Sequence, residues 1–307
     1  MTERKPAFVA VDWGTSSFRA WLMTAGGHVL AETRGPEGML HCATAGFAPV
    51  LADHLAKLGA AQALPVLICG MAGAKQGWTE APYLHTSTRL DALHDGAQRV
   101  DMPGDIRILP GLAQIDPAAP DVMRGEETQL LGVTEPDFTG LVCIPGTHSK
   151  WIQIEAGSVA SFTTYMTGEL FAVIAQHSIL KHAIDHDAAS PVANEAFRDG
   201  LWRARTAPAA LSTSLFGLRA AQLLGFQQQA DGAARLSGLL IGTEIADAGA
   251  RYGTQRPLRL IGAGALLGLY AEALADAGYN ITIVDAERAS QQGLTKAAIH
   301  LWGATFA

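Results

Sequence analysis

The feature that most constrains this chain is a strand pattern that occurs twice. Residues 8–11, 18–23 and 28–33 are extended apolar runs, joined by Asp12-Trp13-Gly14-Thr15-Ser16-Ser17 and by a turn containing Gly26-Gly27. Short glycine-bearing connections between β-forming runs predict an antiparallel three-stranded meander. A second set covers residues 141–144, 151–154 and 158–162, joined by Pro145-Gly146-Thr147-His148-Ser149-Lys150 and Glu155-Ala156-Gly157. Both read strand, glycine-and-hydroxyl loop, strand, glycine turn, strand, about 130 residues apart. The likeness is one of pattern and not of identity. A chain of 307 residues has the length of two ordinary domains. The repeat therefore predicts two α/β lobes, residues 1–138 and 139–307, each opened by a meander, with a cleft between them.

The remaining elements follow from periodicity. Phe47, Val50, Leu51, Leu55 and Leu58 recur at helical spacing. Residues 66–69 form a buried strand that ends in Gly70, and residues 106–109 form another. Residues 123–133 predict a helix with acids in its first turn and Gly132 near its end. In the second half, helices are expected over residues 169–180, 195–205, 212–224, 234–252, 265–277 and 291–302. Strands are expected over 258–261 and 281–284.

Composition excludes several function classes. Hydrophobic residues make up 49% and charged residues 17%, as in globular domains. The net charge is −7 without any Lys/Arg run, which argues against nucleic acid and anionic membrane as partners. The polar residues 1–6 lack the apolar core of a signal peptide. The most apolar long stretch, residues 258–274, is broken by Arg259, several glycines and Glu272. Cys42, Cys69 and Cys143 form no CxxC, and Cys69 and Cys143 sit in apolar runs as small hydrophobes. A reducing cytoplasmic location is expected. The ten histidines show no metal-binding spacing.

Five motifs carry candidate chemistry, each beside a plainer reading. In the loop of residues 12–17, Gly14 and the hydroxyls of Thr15, Ser16 and Ser17 suit phosphate oxygens, and Asp12 suits Mg²⁺ held through water; an ordinary hairpin turn has the same composition. The loop of residues 145–150 offers Gly146, Thr147, His148, Ser149 and Lys150 for the same purpose, or is a surface turn. Arg124-Gly125-Glu126-Glu127-Thr128 opens a helix. One of its acids is a candidate general base for a sugar hydroxyl, or both simply complement the helix dipole. Gly70, Met71, Gly73, Lys75 and Trp78, with Pro82 and Tyr83, suit a small polyol acid, or form a loop-packing cluster. Gly262-Ala263-Gly264 precedes a helix, but a dinucleotide fingerprint needs glycine at position 267, which is Leu267. A glycine pair against an adenine ring explains it as well. No P-loop sequence is present.

Asp12 through Ala20 resembles the first phosphate motif of carbohydrate kinases in the actin/hexokinase/Hsp70 superfamily. Three longer strings resemble the 2-dehydro-3-deoxygalactonokinase family more narrowly: Cys69-Gly70-Met71-Ala72-Gly73 through Tyr83, Asp121 through Gln129, and Pro145 through Trp151. Met166 through Phe171, His177 through Leu180, and Gly238 through Gly242 add to the likeness. The resemblance implies two ribonuclease H-like lobes that close over substrate. It implies ATP and Mg²⁺ as cofactors, and transfer of phosphate to C6 of 2-dehydro-3-deoxy-D-galactonate in D-galactonate catabolism. It also assigns Gly262, Ala263 and Gly264 to the adenosine site. The second loop departs from the superfamily, which commonly has Asp where Pro145 stands. Metal and base duties then fall on Asp12 and on Glu126 or Glu127, between which the sequence does not choose. Exopolyphosphatase-type relatives carry a similar G-x-E-E helix start. Arg124 or Lys75 is expected to meet the substrate carboxylate. The expected partners are the sugar acid and ATP, with a homodimer left open. A kinase for the gluconate epimer, a non-catalytic ATP-binding regulator or actin-like protein, and an oxidoreductase are the other readings.

Overall fold

The chain begins with strands β1 (Pro6–Trp13), β2 (Phe18–Thr24) and β3 (Val29–Gly35), then helices α1 (Met39–Ala45) and α2 (Phe47–Lys57). The computed structural model describes residues 5–185 and 193–306, so residues 1–4 of the polar start lie outside the described residues. Next come β4 (Val66–Gly70), β5 (Tyr83–His85), β6 (Thr88–Arg89), β7 (Gln98–Arg99), β8 (Ile106–Ile108), β9 (Gly111–Gln114), β10 (Asp121–Met123) and α3 (Glu126–Val133). The second meander is β11 (Gly140–Ile144), β12 (Ser149–Glu155) and β13 (Ser158–Tyr165). It is followed by α4 (Thr167–His177), α5 (Glu195–Thr206), α6 (Leu211–Leu223) and α7 (Gly232–Tyr252). The chain ends with β14 (Leu258–Gly262), α8 (Gly264–Asp276), β15 (Ile281–Asp285) and α9 (Ala286–Trp302).

Two six-stranded sheets organise these elements, in the orders β3-β2-β1-β4-β8-β7 and β15-β14-β11-β12-β13-β6. In the first, β1 pairs antiparallel with β2 and parallel with β4, and β4 pairs parallel with β8. In the second, β11 pairs parallel with β14, and β14 with β15. Read from the third meander strand, both sheets run third, second, first, then two parallel strands. That shared order is the ribonuclease H-like arrangement expected twice over. A small sheet, β10-β9-β5, stands apart.

The burial pattern explains the strand sequences. Residues 8–11 of β1 and all of β4 are buried, as continuous apolar runs in a parallel-containing sheet should be. β3, at the sheet edge, alternates between exposed and half-buried residues. One core gathers Val9, Val11, Phe18, Leu51 and Ile68 beneath α1 and α2. A second gathers Leu141, Trp151, Phe197, Ile241 and Leu260, and a third lies among α4, α6 and α7. Each fully buried large apolar side chain contributes about 1.5–3 kcal/mol. The free cysteines Cys42, Cys69 and Cys143 are all buried.

The chain forms two compact units: Met1–Thr139 with Ile154–Ser161 and Ala286–Ala307, and Gly140–Gln153 with Phe162–Asp285. The sequence reading placed everything after residue 138 in one lobe, whereas α9 packs with the first unit. Its Lys296 Nζ donates to the Leu131, Gly132 and Thr134 carbonyls at 2.8, 3.2 and 3.0 Å. These are end-of-helix acceptors of α3 that need a donor. Met123 also differs from expectation, and residues 121–122 join it in a strand. They form β10, paired with β9, and the helix expected from Met123 starts at Glu126. Gly125, at φ 103°, makes the turn between them. Ser149 and Lys150, expected in a turn, are the first two residues of β12.

Candidate functional site

The first candidate loop follows β1. Asp12 lies between Arg19 on β2 and Cys69 on β4. Burial, opposed by Arg19 and by the Ser290 hydroxyl, raises the Asp12 carboxyl above its ordinary value, and Glu287 adds to the rise. Ser290 Oγ donates to Asp12 Oδ2 at 3.4 Å. Gly14 N closes the loop on Ser17 O at 2.9 Å, and Thr15, Ser16 and Ser17 are exposed. The segment after β3 fixes the loop from behind. Met39 N and Leu40 N donate to the Gly14 and Thr15 carbonyls at 3.0 and 3.1 Å, and Trp13 Nε1 donates to Glu37 O at 2.8 Å. Gly38 packs so closely that a Cβ there would lie 2.5 Å from the amide nitrogens of both Ser16 and Ser17.

The second loop repeats this construction. Glu169 N, at the start of α4, donates to Thr147 O at 3.0 Å. A Cβ on Gly168 would lie 2.5 Å from Gly146 O. In both halves a glycine beyond the third meander strand lets a following helix touch the loop. Thr147 and His148 are exposed, and His148 Nε2 pairs with Glu169 Oε2 at 2.5 Å. Ser149 is not exposed at all, and its hydroxyl donates to Glu244 Oε1 at 2.7 Å. Lys150 is also buried.

At the start of α3, the two acids differ sharply. Glu126 is half-buried, and its Oε2 accepts from Arg124 N at 3.0 Å. Glu127 is fully buried, accepting from Gly125 N at 2.7 Å and from Thr128 Oγ1 at 3.0 Å. Desolvation, reinforced by the neighbouring Glu126 charge, pushes its carboxyl up to about 8 despite those hydrogen bonds. The charges of Asp12 and Glu127 both act on the buried Cys69 thiol and help to raise it. The Asp12 end of β1 and the start of α3 therefore converge on the end of β4.

The glycine-rich segment after β4 frames a cation. Arg124 Nη2 donates to Ala81 O at 2.9 Å, and its guanidinium carbon lies 4.5 Å from the Tyr83 ring centroid. Its Nε and Nη1 are enclosed without a hydrogen-bond partner. Gly73 makes room for them, since a Cβ there would lie 2.8 Å from Nη1. Gly70 ends β4, and Met71 and Gly73 form a single helical turn. Lys75 is exposed, with no ion pair among the described residues. Trp78 stacks on Phe47, with centroids 5.9 Å apart, and meets the edge of Trp13 at 6.0 Å. The packing reading accounts for its ring.

The second unit contains a cavity of about 450 Å³, within the usual range for small-molecule sites. Gly146 and Thr147 form one side, and Phe171, Leu240, Ile241 and Leu269 supply apolar walls. Ala263 reaches it from the turn between β14 and α8, and Gly262 and Gly264 flank that residue. Sequence reasoning missed Glu244, which lies behind this cavity. Among the described residues, no group of three or more His, Cys, Asp or Glu side chains could hold a metal ion, and no helix is long and apolar enough to cross a membrane.

Comparison with known proteins agrees with this architecture. Residues 12–297 match the family described as 2-keto-3-deoxy-galactonokinase. The chain is 49% identical over 298 residues to a Rhizobium meliloti (strain 1021) protein named "Probable 2-dehydro-3-deoxygalactonokinase", covering 96% of this chain and 97% of that one. It is 33% identical over 291 residues to the 2-dehydro-3-deoxygalactonokinase of Escherichia coli K12, covering 95% and 97%. A Sinorhizobium meliloti crystal structure described by the same activity superposes with a TM-score of 0.93 at 49% identity, covering 96% of this chain and 99% of that one. Component A of the Acidaminococcus fermentans (R)-2-hydroxyglutaryl-CoA dehydratase, 13% identical with a TM-score of 0.51, shares the fold alone. Matched from Asp12 to beyond Ser290, and paired with relatives along nearly their whole length, this chain belongs to the 2-keto-3-deoxy-galactonokinase family.

Proposed function

We propose that the chain transfers the terminal phosphoryl group of ATP to the C6 hydroxyl of 2-dehydro-3-deoxy-D-galactonate, in cytoplasmic D-galactonate catabolism. Its family makes it a carbohydrate kinase. The observation that carries the substrate reading is Arg124. Its guanidinium has two enclosed nitrogens without a hydrogen-bond partner, which a carboxylate entering beside them would satisfy, and its backbone N–H donates to the Glu126 carboxylate. A cation for the acid end of a sugar acid and a carboxylate for its reacting hydroxyl thus lie two residues apart. Arg124 is the better carboxylate partner than Lys75. It is already ordered by Ala81 and Tyr83, and a planar guanidinium binds carboxylates in a fixed geometry.

Glu126 is assigned as the general base that takes the C6 hydroxyl proton, because its carboxyl is the accessible one of the pair. Glu127, buried and protonated at neutral pH, anchors the start of α3 through Gly125 and Thr128. The loop of residues 12–17 and residues 146–148 hold phosphate oxygens, and Lys150 offsets their charge. The 450 Å³ cavity with Gly262, Ala263 and Gly264 takes the adenosine. Asp12 fits a metal held mainly by phosphate oxygens and water, which needs few protein carboxylates. Its charge is opposed by burial, so a nearby cation would stabilise it. Mg²⁺, when bound, offsets charge on the phosphates. Product analysis tests the position of transfer. Phosphorus–proton coupling to the C6 methylene is the expected result, and coupling to another carbon contradicts it.

A further inference from the structure

We infer that Glu244 is a positioning residue for nucleotide binding, acting through Ser149, Thr167 and Tyr270. This rests on reading the second unit's cavity as the nucleotide site. Glu244 lies near the middle of α7 and is 2% exposed. Its Oε1 accepts from Ser149 Oγ at 2.7 Å and from Trp151 Nε1 at 2.8 Å. Its Oε2 accepts from Tyr270 OH at 2.6 Å and from Thr167 Oγ1. Two carboxylate oxygens thus receive four donors, enough to satisfy a buried acid without a basic partner.

The donors are the parts from which the cavity is built. Ser149 ends the second phosphate loop and Trp151 continues β12. Thr167 begins α4, where Gly168 and Glu169 touch the same loop from behind. Tyr270 comes from α8, and with Thr167 it lines the cavity. A single side chain therefore ties the loop, the helix behind it and the far wall together. An apolar residue in its place would leave four buried donors unpaired, whereas the carboxylate satisfies them and fixes their relative register. Burial raises the acid above its ordinary value while the four donors oppose the rise.

The test compares wild type with Glu244→Gln and Tyr270→Phe. The second variant keeps its ring in the core and removes one donor, so it carries the test if the first does not fold. Steady-state kinetics with ATP and 2-dehydro-3-deoxy-D-galactonate are paired with calorimetric ADP binding. Each variant is expected to raise the KM for ATP and weaken ADP binding by about five- to tenfold. The KM for the sugar acid should stay within about twofold of wild type, and kcat should fall less than the KM for ATP rises. Loss of kcat with both KM values unchanged would mean only a smaller active fraction, and would overturn the inference. Unchanged ADP binding in folded variants would also overturn it. A wild type that binds no ADP would overturn the cavity reading itself, and this inference with it.

Discussion

The Arg124 guanidinium lies over the face of Tyr83, 4.5 Å from the ring centroid. The ring holds the cation in place, and Ala81 O occupies one of its nitrogens. Lysine cannot reproduce this planar, multiply anchored geometry. Arg124→Lys is therefore expected to raise the KM for the sugar acid by about 10- to 100-fold, with little change in the KM for ATP. Equal effects on both substrates would place Arg124 outside the acceptor site.

Two neighbouring acids should give opposite kinetic results. Glu126→Gln removes the proposed base and should lower kcat by about 10²- to 10⁴-fold. Glu127→Gln keeps a neutral, hydrogen-bonding group in the buried position and should retain kcat within about tenfold. Stopped-time ADP assays on both variants decide the matter. The reverse ranking would move the base to Glu127.

The Glu127 carboxyl also predicts a pH dependence of stability. It titrates near 8 when folded, against an ordinary value of 4.5. Between those values the folded protein holds a proton that the unfolded chain has released. Unfolding then releases a proton, so rising pH favours the unfolded state. The stabilisation is complete below about 4.5 and is lost as pH rises through about 8. Glu127→Gln removes this dependence. Its Tm relative to wild type should climb steadily from about pH 5 to 8, measured by scanning calorimetry. A constant difference would show that the carboxyl titrates normally.

Both loops proposed to hold phosphate should be sensitive to one added methyl group behind them. A Cβ at Gly38 would lie 2.5 Å from the Ser16 and Ser17 amide nitrogens, and one at Gly168 would lie 2.5 Å from Gly146 O. Gly38→Ala and Gly168→Ala should each push a loop forward, at a cost of about 1–3 kcal/mol. The expected result is a lower Tm and a higher KM for ATP in both variants. An unchanged KM in either one would mean that its loop does not bind phosphate.

What the sequence revealed was whatever is local. Alternating and continuous apolar runs identified both meanders and the helices, because strand and helix periodicity is written in neighbouring residues. Gly14 and the hydroxyls of residues 15–17 marked their loop for the same reason. Sequence distance hid the rest. Ser149 reads as a loop hydroxyl in the sequence, whereas in the structure it donates a hydrogen bond to Glu244, 95 residues away. α9 joined the first unit through Lys296 and the carbonyls at the end of α3, more than 160 residues earlier. Met123, the last residue of β10, reads as part of α3 in the sequence because its pairing with β9 is not written in composition. Glu126 and Glu127 are told apart by burial, which adjacent identical residues do not disclose.

The most direct test of the account is coupled ADP release with Mg·ATP, comparing 2-dehydro-3-deoxy-D-galactonate, its gluconate epimer and a no-sugar control. The account predicts turnover that requires the sugar acid and strongly favours the galactonate form. ADP release that ignores the sugar acid, or a preference for the gluconate epimer, would contradict it.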